Sequence, residues 1–565
     1  MHVDLPATQS GMHTQATHRC LFIPEVLALI CEACIDPPDV DSVAARNRGM
    51  RSLVRLARTC KTIYAVAIRC IWQSVTEIAI LAEYTMPGCW EIIRDHPEVD
   101  EGVPSSVILP ARSIQEEDLK RFRFHAAFVK KMSFGGSDWP RLFVDDCIIA
   151  LCLTATGPLL PNLTYIAWDV ELNLFYLQYF ASPTTLELRI NGGSLTVGDA
   201  YILRSTPRWF PNLTDLYVGY SSSLADGAKQ AIDILGKAIC GWKLRKLETS
   251  HIKEEALRRL AELPSLCVLT LEGGPVQIGR AVNALFGNPQ GPRLGFLQLS
   301  ELVVKTPGLR LRHAGSRDCC TFPALETLEL GLLLDPWQAT FMQISNLCPS
   351  RPRLRRLVLE DEDHPAAGVS QPIPATDIRL LGPYTHLEEL ILTSIYGFHV
   401  DEADVLWIAR SWPKLRVLHL RPKYRQRDDA RRRIPPLHAL RHLARHCPRL
   451  ADLAIEVDAT AVPLAEAPTD AVQMELRLWR AGWSPITAQS VPYVAAYLST
   501  VFPCVQNIVS TMPGATLHVP ENLNWREVCS LIPVFNAVQG HAYRRLMHGS
   551  ADSGEVIKRM VGLVE

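Results

Sequence analysis

Two pairs of residues of the types that bind metal ions are spaced so that each pair could contribute to a metal site. Cys31 and Cys34 form a CxxC pair, and His442 and His446 lie four residues apart on a predicted helix. A structural zinc site needs four ligands, and neither pair is completed to four by cysteines or histidines nearby. Helix packing is therefore the better interpretation of the cysteines, which adjoin the apolar run 26–30, and the histidines are expected on an exposed helix surface. We predict no metal and no cofactor.

Catalytic motifs with a known mechanism do not occur in the sequence. It contains no GxxxxGK phosphate loop, no GxSxG nucleophile turn and no HExxH helix. The prediction is a protein that is not an enzyme and has no catalytic residues.

One basic segment could bind an anionic partner. Two aspartates, at 428 and 429, interrupt its seven basic residues, which are Arg421, Lys423, Arg425, Arg427, Arg431, Arg432 and Arg433. An acidic or phosphorylated protein segment could pair with them, so Arg431, Arg432 and Arg433 are substrate-binding candidates. A solvated loop or a nuclear-localisation stretch is the alternative. The acidic run 360–363 could also neutralise this segment.

The overall composition narrows the classes of partner. The 565 residues carry 58 Lys and Arg against 59 Asp and Glu, which argues against long-range attraction to nucleic acid or to an anionic membrane. The 16 cysteines follow no recurring spacing. Neither a signal sequence nor an apolar run of about 18 residues occurs. We expect a reduced cytoplasmic or nuclear location.

A repeated sequence pattern indicates the strands and helices that must position any site. This repeat phrase is clearest at Pro413, Leu415, Leu418 and Leu420. The first leucine-type position of each repeat is predicted at Val129, Leu163, Thr185, Leu213, Leu244, Leu266, Leu294, Leu325, Leu354, Leu387, Leu415, Leu450, Gln473 and Val505. A unit of this size cannot bury its apolar face alone and must stack on the next one. The spacing is that of leucine-rich repeats.

Each repeat is predicted as a short strand and a returning helix, giving an α/β leucine-rich-repeat solenoid over 129–512 with parallel strands inside and helices outside. Trp412-Pro413 and Cys447-Pro448 should end helices with a packed side chain, because proline disfavours helical geometry in the residue before it. Both solenoid ends need caps. Residues 76–128, a connecting helical segment, should cap one end. Residues 513–565 should cap the other through Trp525, Val528, Leu531, Ile532, Val534 and Phe535.

The residue between the second and third apolar positions of each repeat should face away from the core, onto the inner surface. We call these residues the middle row. They are predicted as Ala167, Arg189, Tyr217, Glu248, Thr270, Gln298, Glu329, Val358, Ile391, His419, Ala454 and Val509. No charge sign dominates, which suits a protein ligand better than nucleic acid. The substrate-binding candidates in this row are Arg189, Tyr217, Glu248, Gln298, Glu329, Val358, Ile391 and His419.

The segment ahead of the repeats reads as short amphipathic helices over 19–75, after a disordered stretch at 1–18. Its pattern resembles an F-box in the positions of Ile23, Pro24, Glu25, Val26, Leu27, Ile30, Leu53, Leu56, Cys60, Lys61 and Trp72. The stretch 36–50 is longer than in the usual pattern. The combination with leucine-rich repeats is similar to F-box proteins of mushroom-forming fungi, in which the phrases at 121–124 and 482–486 also recur.

The resemblance implies a substrate receptor of an SCF-type cullin-RING ubiquitin ligase. Skp1, and through it cullin, would dock on Ile23, Pro24, Glu25, Leu27, Ile30, Leu53, Leu56, Cys60 and Trp72, and the repeats would hold an unknown protein substrate. In the alternative, these apolar residues pack within the helical segment and on the first repeat. The protein would then be a repeat scaffold without a ligase.

Overall fold

The structure is a computed structural model. It describes residues 23–35, 43–76, 78–94, 106–134, 141–143, 145–169, 173–192, 196–220, 228–286, 295–310, 320–333, 336–361, 372–423, 433–462, 472–510 and 520–547. The chain divides into two compact units, Met1–Glu248 and Thr249–Glu565.

Three helices open the first unit: α1 (Pro24–Ile35), α2 (Val43–Ala57) and α3 (Lys61–Gln73). Their shared core consists of buried residues spaced three or four apart on each helix, which are Leu27, Cys31, Leu53, Ala57, Ala67 and Cys70. Gly49 lets α2 approach α1, because a Cβ atom at this position would overlap the Cys34 carbonyl. Helix α2 begins at Val43, within the long stretch 36–50. Residues 36–42 and the predicted disordered stretch 1–18 lie outside the described residues.

The first unit then adds strands and helices in alternation. Its next elements are β1 (Ser74–Val75), α4 (Ile78–Thr85), β2 (Trp90–Arg94), β3 (Ser106–Pro110), α5 (Glu116–Ala126), β4 (Lys131–Ser133), β5 (Arg141–Phe143), α6 (Asp145–Thr154), β6 (Tyr165–Asp169), a 3₁₀ helix (Leu174–Phe180), β7 (Glu187–Gly192), α7 (Val197–Trp209), β8 (Asp215–Tyr220), α8 (Ala228–Ile239) and β9 (Lys246–Thr249). The purely helical prediction for 76–128 was wrong. The β-branched and aromatic side chains of β2 and β3 form an antiparallel pair, which β5 extends.

The second unit continues the same alternation. Its helices and strands are α9 (Glu254–Ala261), β10 (Val268–Glu272), α10 (Pro275–Phe286), β11 (Glu301–Arg310), β12 (Thr327–Leu333), α11 (Trp337–Leu347), β13 (Arg356–Asp361), β14 (Ile373–Pro374), α12 (Ala375–Ile378), β15 (Glu389–Ser394), β16 (Phe398–His399), α13 (Glu402–Ser411), β17 (Val417–Pro422), α14 (Leu440–His446), β18 (Asp452–Ile455), β19 (Leu478–Arg480), α15 (Val491–Val501), β20 (Asn507–Val509) and α16 (Pro520–Met547). Short 3₁₀ turns (Arg351–Arg353, Arg379–Leu381 and Leu437–Ala439) join some of them.

Parallel pairing within each unit confirms the α/β leucine-rich-repeat fold. The strand order is β1-β4-β6-β7-β8-β9 in the first unit and β10-β11-β12-β13-β15-β17-β18-β19-β20 in the second. The second and third apolar residues of the repeats point into the core, as Leu418 and Leu420 do at 0% and 2% exposure. Trp412 and Cys447 are both fully buried at the ends of α13 and α14, as predicted.

Two predicted repeat positions were wrong. In register, Leu302 follows Leu269 and Trp479 follows Leu453, so these repeats begin at Leu299 and Leu476 instead of Leu294 and Gln473. The LxxLxL phrase fits twice in each overlapping stretch, and only burial decides between the two fits. The side chain of Leu297, which the wrong fit makes a core residue, is 69% exposed.

Thr185, the other polar residue at a predicted leucine position, does hold that place. Its buried hydroxyl donates to the carbonyl of Leu163, 3.0 Å away, which is the same position in the preceding repeat. A hydrogen bond of this kind removes most of the cost of a buried hydroxyl. The polar residue is therefore compatible with the stack.

The helix α16 covers the end of the second unit as the predicted cap. Trp525, Val528 and Ile532 are buried, whereas Val534 is 56% exposed and does not take part. The indole nitrogen of Trp525 donates to the carbonyl of Ser484 at 3.0 Å. The phrase 482–486, which the resemblance singled out, is thus a turn that holds the cap, and Gly482 gives that turn its positive φ of 60°.

Candidate protein-interaction surfaces

Within each unit, strand pairing brings the middle-row residues together. One predicted member of the row is corrected, and one residue is added to it. In the first unit Ala167, Arg189 and Tyr217 are in register, and Glu248 lies on β9. In the second unit the row is Thr270, Val303, Glu329, Val358, Ile391, His419, Ala454, Arg480 and Val509. Gln298 lies before β11, exposed and outside the row, because its repeat begins five residues later than predicted. Sequence reasoning also missed Arg480.

The row in the second unit offers little free side-chain surface. Val358 and His419 are only 3% and 6% exposed, while Glu329 and Ile391 are half-buried. In the first unit, by contrast, Arg189 is exposed. A ligand of the second unit would therefore contact the edges of this surface more than its centre.

Charged side chains of the second unit pair with one another across the strands. Lys305 lies 2.9 Å from Glu329 and 3.5 Å from Glu272, and Arg356 contacts both Glu329 and Glu389. The hydrogen bond that Lys305 donates to Glu329 raises the pKa of Lys305, although burial opposes the charge. In this run of ion pairs, two cations are shared among three carboxylates, so neither cation is free to attract an anionic partner.

A second ion-pair group joins β17, β18 and β19. Asp452 Oδ1 lies 3.1 Å from His419 Nε2, and Asp452 Oδ2 accepts a hydrogen bond from Arg480 at 3.1 Å. Burial opposes ionisation of Asp452, but these two partners outweigh it and hold the pKa of the carboxyl below its usual range.

Asp452→Asn is expected to lower the free energy of unfolding by about 1–2 kcal/mol at pH 7, because hydrogen bonds to a charged group are lost. A carboxyl whose pKa is lower in the folded than in the unfolded state stabilises the fold at pH values above its unfolded pKa. This stabilisation is lost as the pH falls through the folded pKa. The difference in free energy of unfolding between wild type and variant should therefore shrink as the pH falls below about 4. Urea unfolding at pH 7 and pH 3 measures it, with the exposed Asp146→Asn as control. A gap that stays constant with pH would contradict the assignment.

The described part of the predicted basic segment is already engaged. Arg421 lies 3.9 Å from Glu360 and donates to Thr393 at 3.3 Å, and Lys423 Nζ donates to the Asp361 carbonyl at 3.1 Å. Burial lowers the pKa of Arg421. The predicted neutralisation by the acidic run thus occurs for Arg421, whereas Lys423 is held by a backbone carbonyl of the same run. Arg433 is exposed, and Arg425, Arg427, Arg431 and Arg432 lie outside the described residues.

In the first unit, Arg189 and Tyr217 occupy an exposed or half-exposed part of the strand surface. The guanidinium of Arg189 lies 5.8 Å from the ring centre of Tyr165, a cation–π contact, and 2.9 Å from Glu187. The ring of Tyr217 lies over Gly219, where a Cβ atom would collide with it. Tyrosine and arginine are the residue types that dominate protein–protein interfaces.

The residues predicted to dock an adaptor separate into three groups. Ile23, Pro24, Glu25 and Cys60 are exposed, and Ile30, Leu56 and Trp72 are half-buried. Leu27 and Leu53 are 2% and 0% exposed and belong to the core of the α1–α3 bundle, so neither can contact a partner without unfolding. Trp72 packs edge-on against His125 of α5, with ring centres 5.4 Å apart.

Other exposed apolar side chains of the bundle were missed. Leu29, Val54 and Tyr64 are 66%, 42% and 45% exposed. They do not fit the motif positions, and only packing shows that they face outwards. Together with Ile23 they leave a small bundle with unusually apolar surface.

Cys31 and His442, from the two pairs considered as metal ligands, have structural roles. Burial raises the pKa of Cys31 to about 11, so its thiol stays protonated and packs in the bundle. His442 Nε2 and His438 Nε2 lie 3.2 and 3.1 Å from the carboxylate of Glu402 on α13, which ties α14 to α13. No group of three or more His, Cys, Asp or Glu residues placed to hold a metal is found among the described residues. In the same residues, no helix combines the length and apolar character needed to cross a bilayer.

Comparisons with known proteins find similarity in structure but not in sequence. No protein-family model and no curated protein sequence matches the chain. The chain is similar to a yeast structure described as the crystal structure of the Rad7 and Elc1 complex, with a TM-score of 0.31 and 12% identity over 91% of this chain and 98% of that one. At these values the likeness carries no argument about function. The leucine-rich-repeat class rests on the strand pairing and burial above.

Proposed function

We propose that the chain is the non-catalytic substrate receptor of an SCF-type cullin-RING ubiquitin ligase. Skp1 would bind the α1–α3 bundle, and the repeats would hold a protein substrate. The supporting sequence observation is the F-box pattern at 23–72. The structural observation that carries the proposal is the bundle itself, whose small core of six buried residues leaves Ile23, Leu29, Val54 and Tyr64 exposed. Apolar surface of this kind favours coverage by a partner.

The connection between the bundle and the repeats also supports a receptor. Helix α3 runs directly into β1, which pairs with β4, and the Lys130 amide donates to the Gln73 carbonyl at 2.9 Å. The bundle is therefore fixed to the first strands instead of hanging on a linker. A rigid connection of this kind would hold a substrate at a defined distance from the ligase.

The second candidate function is a repeat scaffold without a ligase. The observations that favour it are the burial of Leu27 and Leu53 and the packing of Trp72 on α5. In that case the bundle would serve as the N-terminal cap only.

Co-expression with a fungal Skp1 separates the two functions. We expect the full chain to retain Skp1 through affinity and size-exclusion steps. Changing Ile23, Leu29 and Val54 to Asp should reduce the recovered Skp1 at least about tenfold, because three charges would be buried at an interface without partners. Changes at Leu27 or Leu53 are unsuitable, since they would unfold the bundle.

The matched control places three aspartates on other exposed apolar positions, Ile149→Asp, Leu153→Asp and Met342→Asp. This variant should keep Skp1, and circular dichroism should show that both variants fold. Failure of the wild type to bind Skp1, or equal retention by the folded bundle variant, would favour the scaffold.

A further inference from the structure

The turn before each strand differs from repeat to repeat. In the first unit it reads Pro-Asn-Leu-Thr at 161–164 and 211–214, and Trp-Lys-Leu-Arg at 242–245. Asn162 and Asn212 donate at 2.8 Å to carbonyls of the preceding turn, and Thr164 and Thr214 donate to carbonyls at 2.9 and 3.3 Å. These side chains tie each repeat to its neighbour.

Three turns of the second unit carry cations at the same positions. They read Pro-Arg-Leu-Arg at 352–355, Pro-Lys-Leu-Arg at 413–416 and Pro-Arg-Leu-Ala at 448–451. All are followed by parallel strands, so they lie at one edge of the sheet. The repeat fold does not require cations here, because Asn and Thr serve at the equivalent positions of the two Pro-Asn-Leu-Thr turns.

Backbone hydrogen bonds line up the turns that carry these cations. The amides of Glu388, Arg416, Ala451 and Arg477 donate in succession to the carbonyls of Arg355, Glu388, Arg416 and Ala451. The exposed cations at this edge, which we call the basic rim, are Arg353, Arg355, Lys414, Arg416, Arg449 and Arg477. Adjacent strands lie about 4.8 Å apart. The rim is therefore a cluster of cations along one edge, in which Glu388 and Ala451 alternate with the arginines.

Fewer carboxylates than cations lie along this edge. The acidic residues at equivalent positions are Glu326, which adjoins Arg355, Glu388, which lies 3.3 Å from Arg355, and Glu475. Among the described residues, the ion pairs of the inner surface join other side chains, such as Arg356 and Arg480. The chain as a whole has a net charge of −1, so the rim is a local concentration of charge.

We propose that the basic rim binds an acidic polypeptide segment. Six cations along one edge complement a run of Asp and Glu side chains, which an extended chain can present along the edge. A single-stranded nucleic acid is the less suitable partner, because base stacking needs an exposed aromatic platform and the aromatic residues next to these turns, Tyr384 and Trp412, are fully buried. This biological role rests on the proposed receptor function. In such a receptor, the rim would select substrates that carry an acidic segment.

Binding of labelled peptides to the full-length protein tests the rim without Skp1. A fluorescein-labelled twelve-residue glutamate peptide should bind, and the affinity should fall as salt rises. Arg416→Glu, Arg449→Glu and Arg477→Glu together should weaken binding at least about tenfold. The corresponding Arg→Gln variant should lose part of the affinity, since it removes the attraction without adding repulsion.

The matched control makes the same charge change on exposed helical arginines, with Arg204→Glu, Arg259→Glu and Arg280→Glu. Its affinity should stay within about twofold of wild type, because screened charges far from the peptide contribute little. The proposal is overturned if the wild type does not bind the peptide or if both variants weaken binding equally. It is also overturned if a twelve-nucleotide single-stranded DNA binds the rim more tightly than the peptide. Loss of Skp1 binding would contradict the proposed ligase alone and leave this result unchanged.

Discussion

Trp525→Ala is expected to lower the free energy of unfolding by about 3–5 kcal/mol, the range for removing a large aromatic side chain from a core. Trp525 is a fully buried residue of α16, with its ring centre 5.0 Å from that of Trp479. Its indole N–H also satisfies the Ser484 carbonyl. The substitution would therefore leave a cavity and an unsatisfied acceptor at the end of the sheet.

The loss should begin locally, because each repeat is stabilised mainly by its neighbours. Hydrogen exchange should show α16, β20 and β19 opening before β13 or β15. Urea unfolding gives the total change. Leu523→Ala, on the same helix and 58% exposed, is the control and should change stability by less than about 0.5 kcal/mol. Uniform loss of protection along the second unit would show that the cap does not act as a separate element.

Trp412 allows the packing and hydrogen-bond contributions of a buried tryptophan to be separated. It is fully buried at the end of α13 and packs edge-on against Trp407, with ring centres 5.4 Å apart. Within the described residues its indole nitrogen has no hydrogen-bond partner. Trp412→Ala should cost about 3–5 kcal/mol. Trp412→Phe should cost less than this, because it removes volume but also removes an unsatisfied buried donor.

The same pair of substitutions at Trp525 provides the comparison. Trp525→Phe leaves the Ser484 carbonyl without its donor, so we expect a larger cost for Phe at 525 than at 412, by about 1–2 kcal/mol. Urea unfolding of the four variants measures both differences. Equal costs for the two phenylalanine variants would mean that the indole hydrogen bond of Trp525 contributes nothing net.

Much of the architecture could be predicted because leucine positions recur along the chain. The repeat phrase predicted the parallel α/β solenoid, the Trp412 and Cys447 helix ends and the C-terminal cap. It did not decide between overlapping matches. At Leu299 and Leu476 the true register depended on which apolar residues neighbouring strands cover, and that is a property of the stack.

The candidate sites could be predicted only in part for the same reason. The motif pattern at 23–72 identifies a helical segment, yet it cannot distinguish Leu27 and Leu53, which hold the bundle together, from Ile23, which faces outwards. A basic run is visible in the sequence at 421–433. That Arg421 and Lys423 are engaged by β13, two strands away, is visible only after the strands pair.

The sequence by itself determined that this protein is built from stacked repeats, because the periodic leucines must be buried and each unit is too small to bury its own. Tertiary structure alone decided which charges are available to a partner. Cations on the inner surface are paired across strands, whereas those of the basic rim, which come from turns whose cations are 28 residues or more apart in sequence, come together at one edge. The physical reason is that parallel pairing aligns equivalent positions of distant repeats, so a local sequence pattern becomes a surface only when the sheet forms.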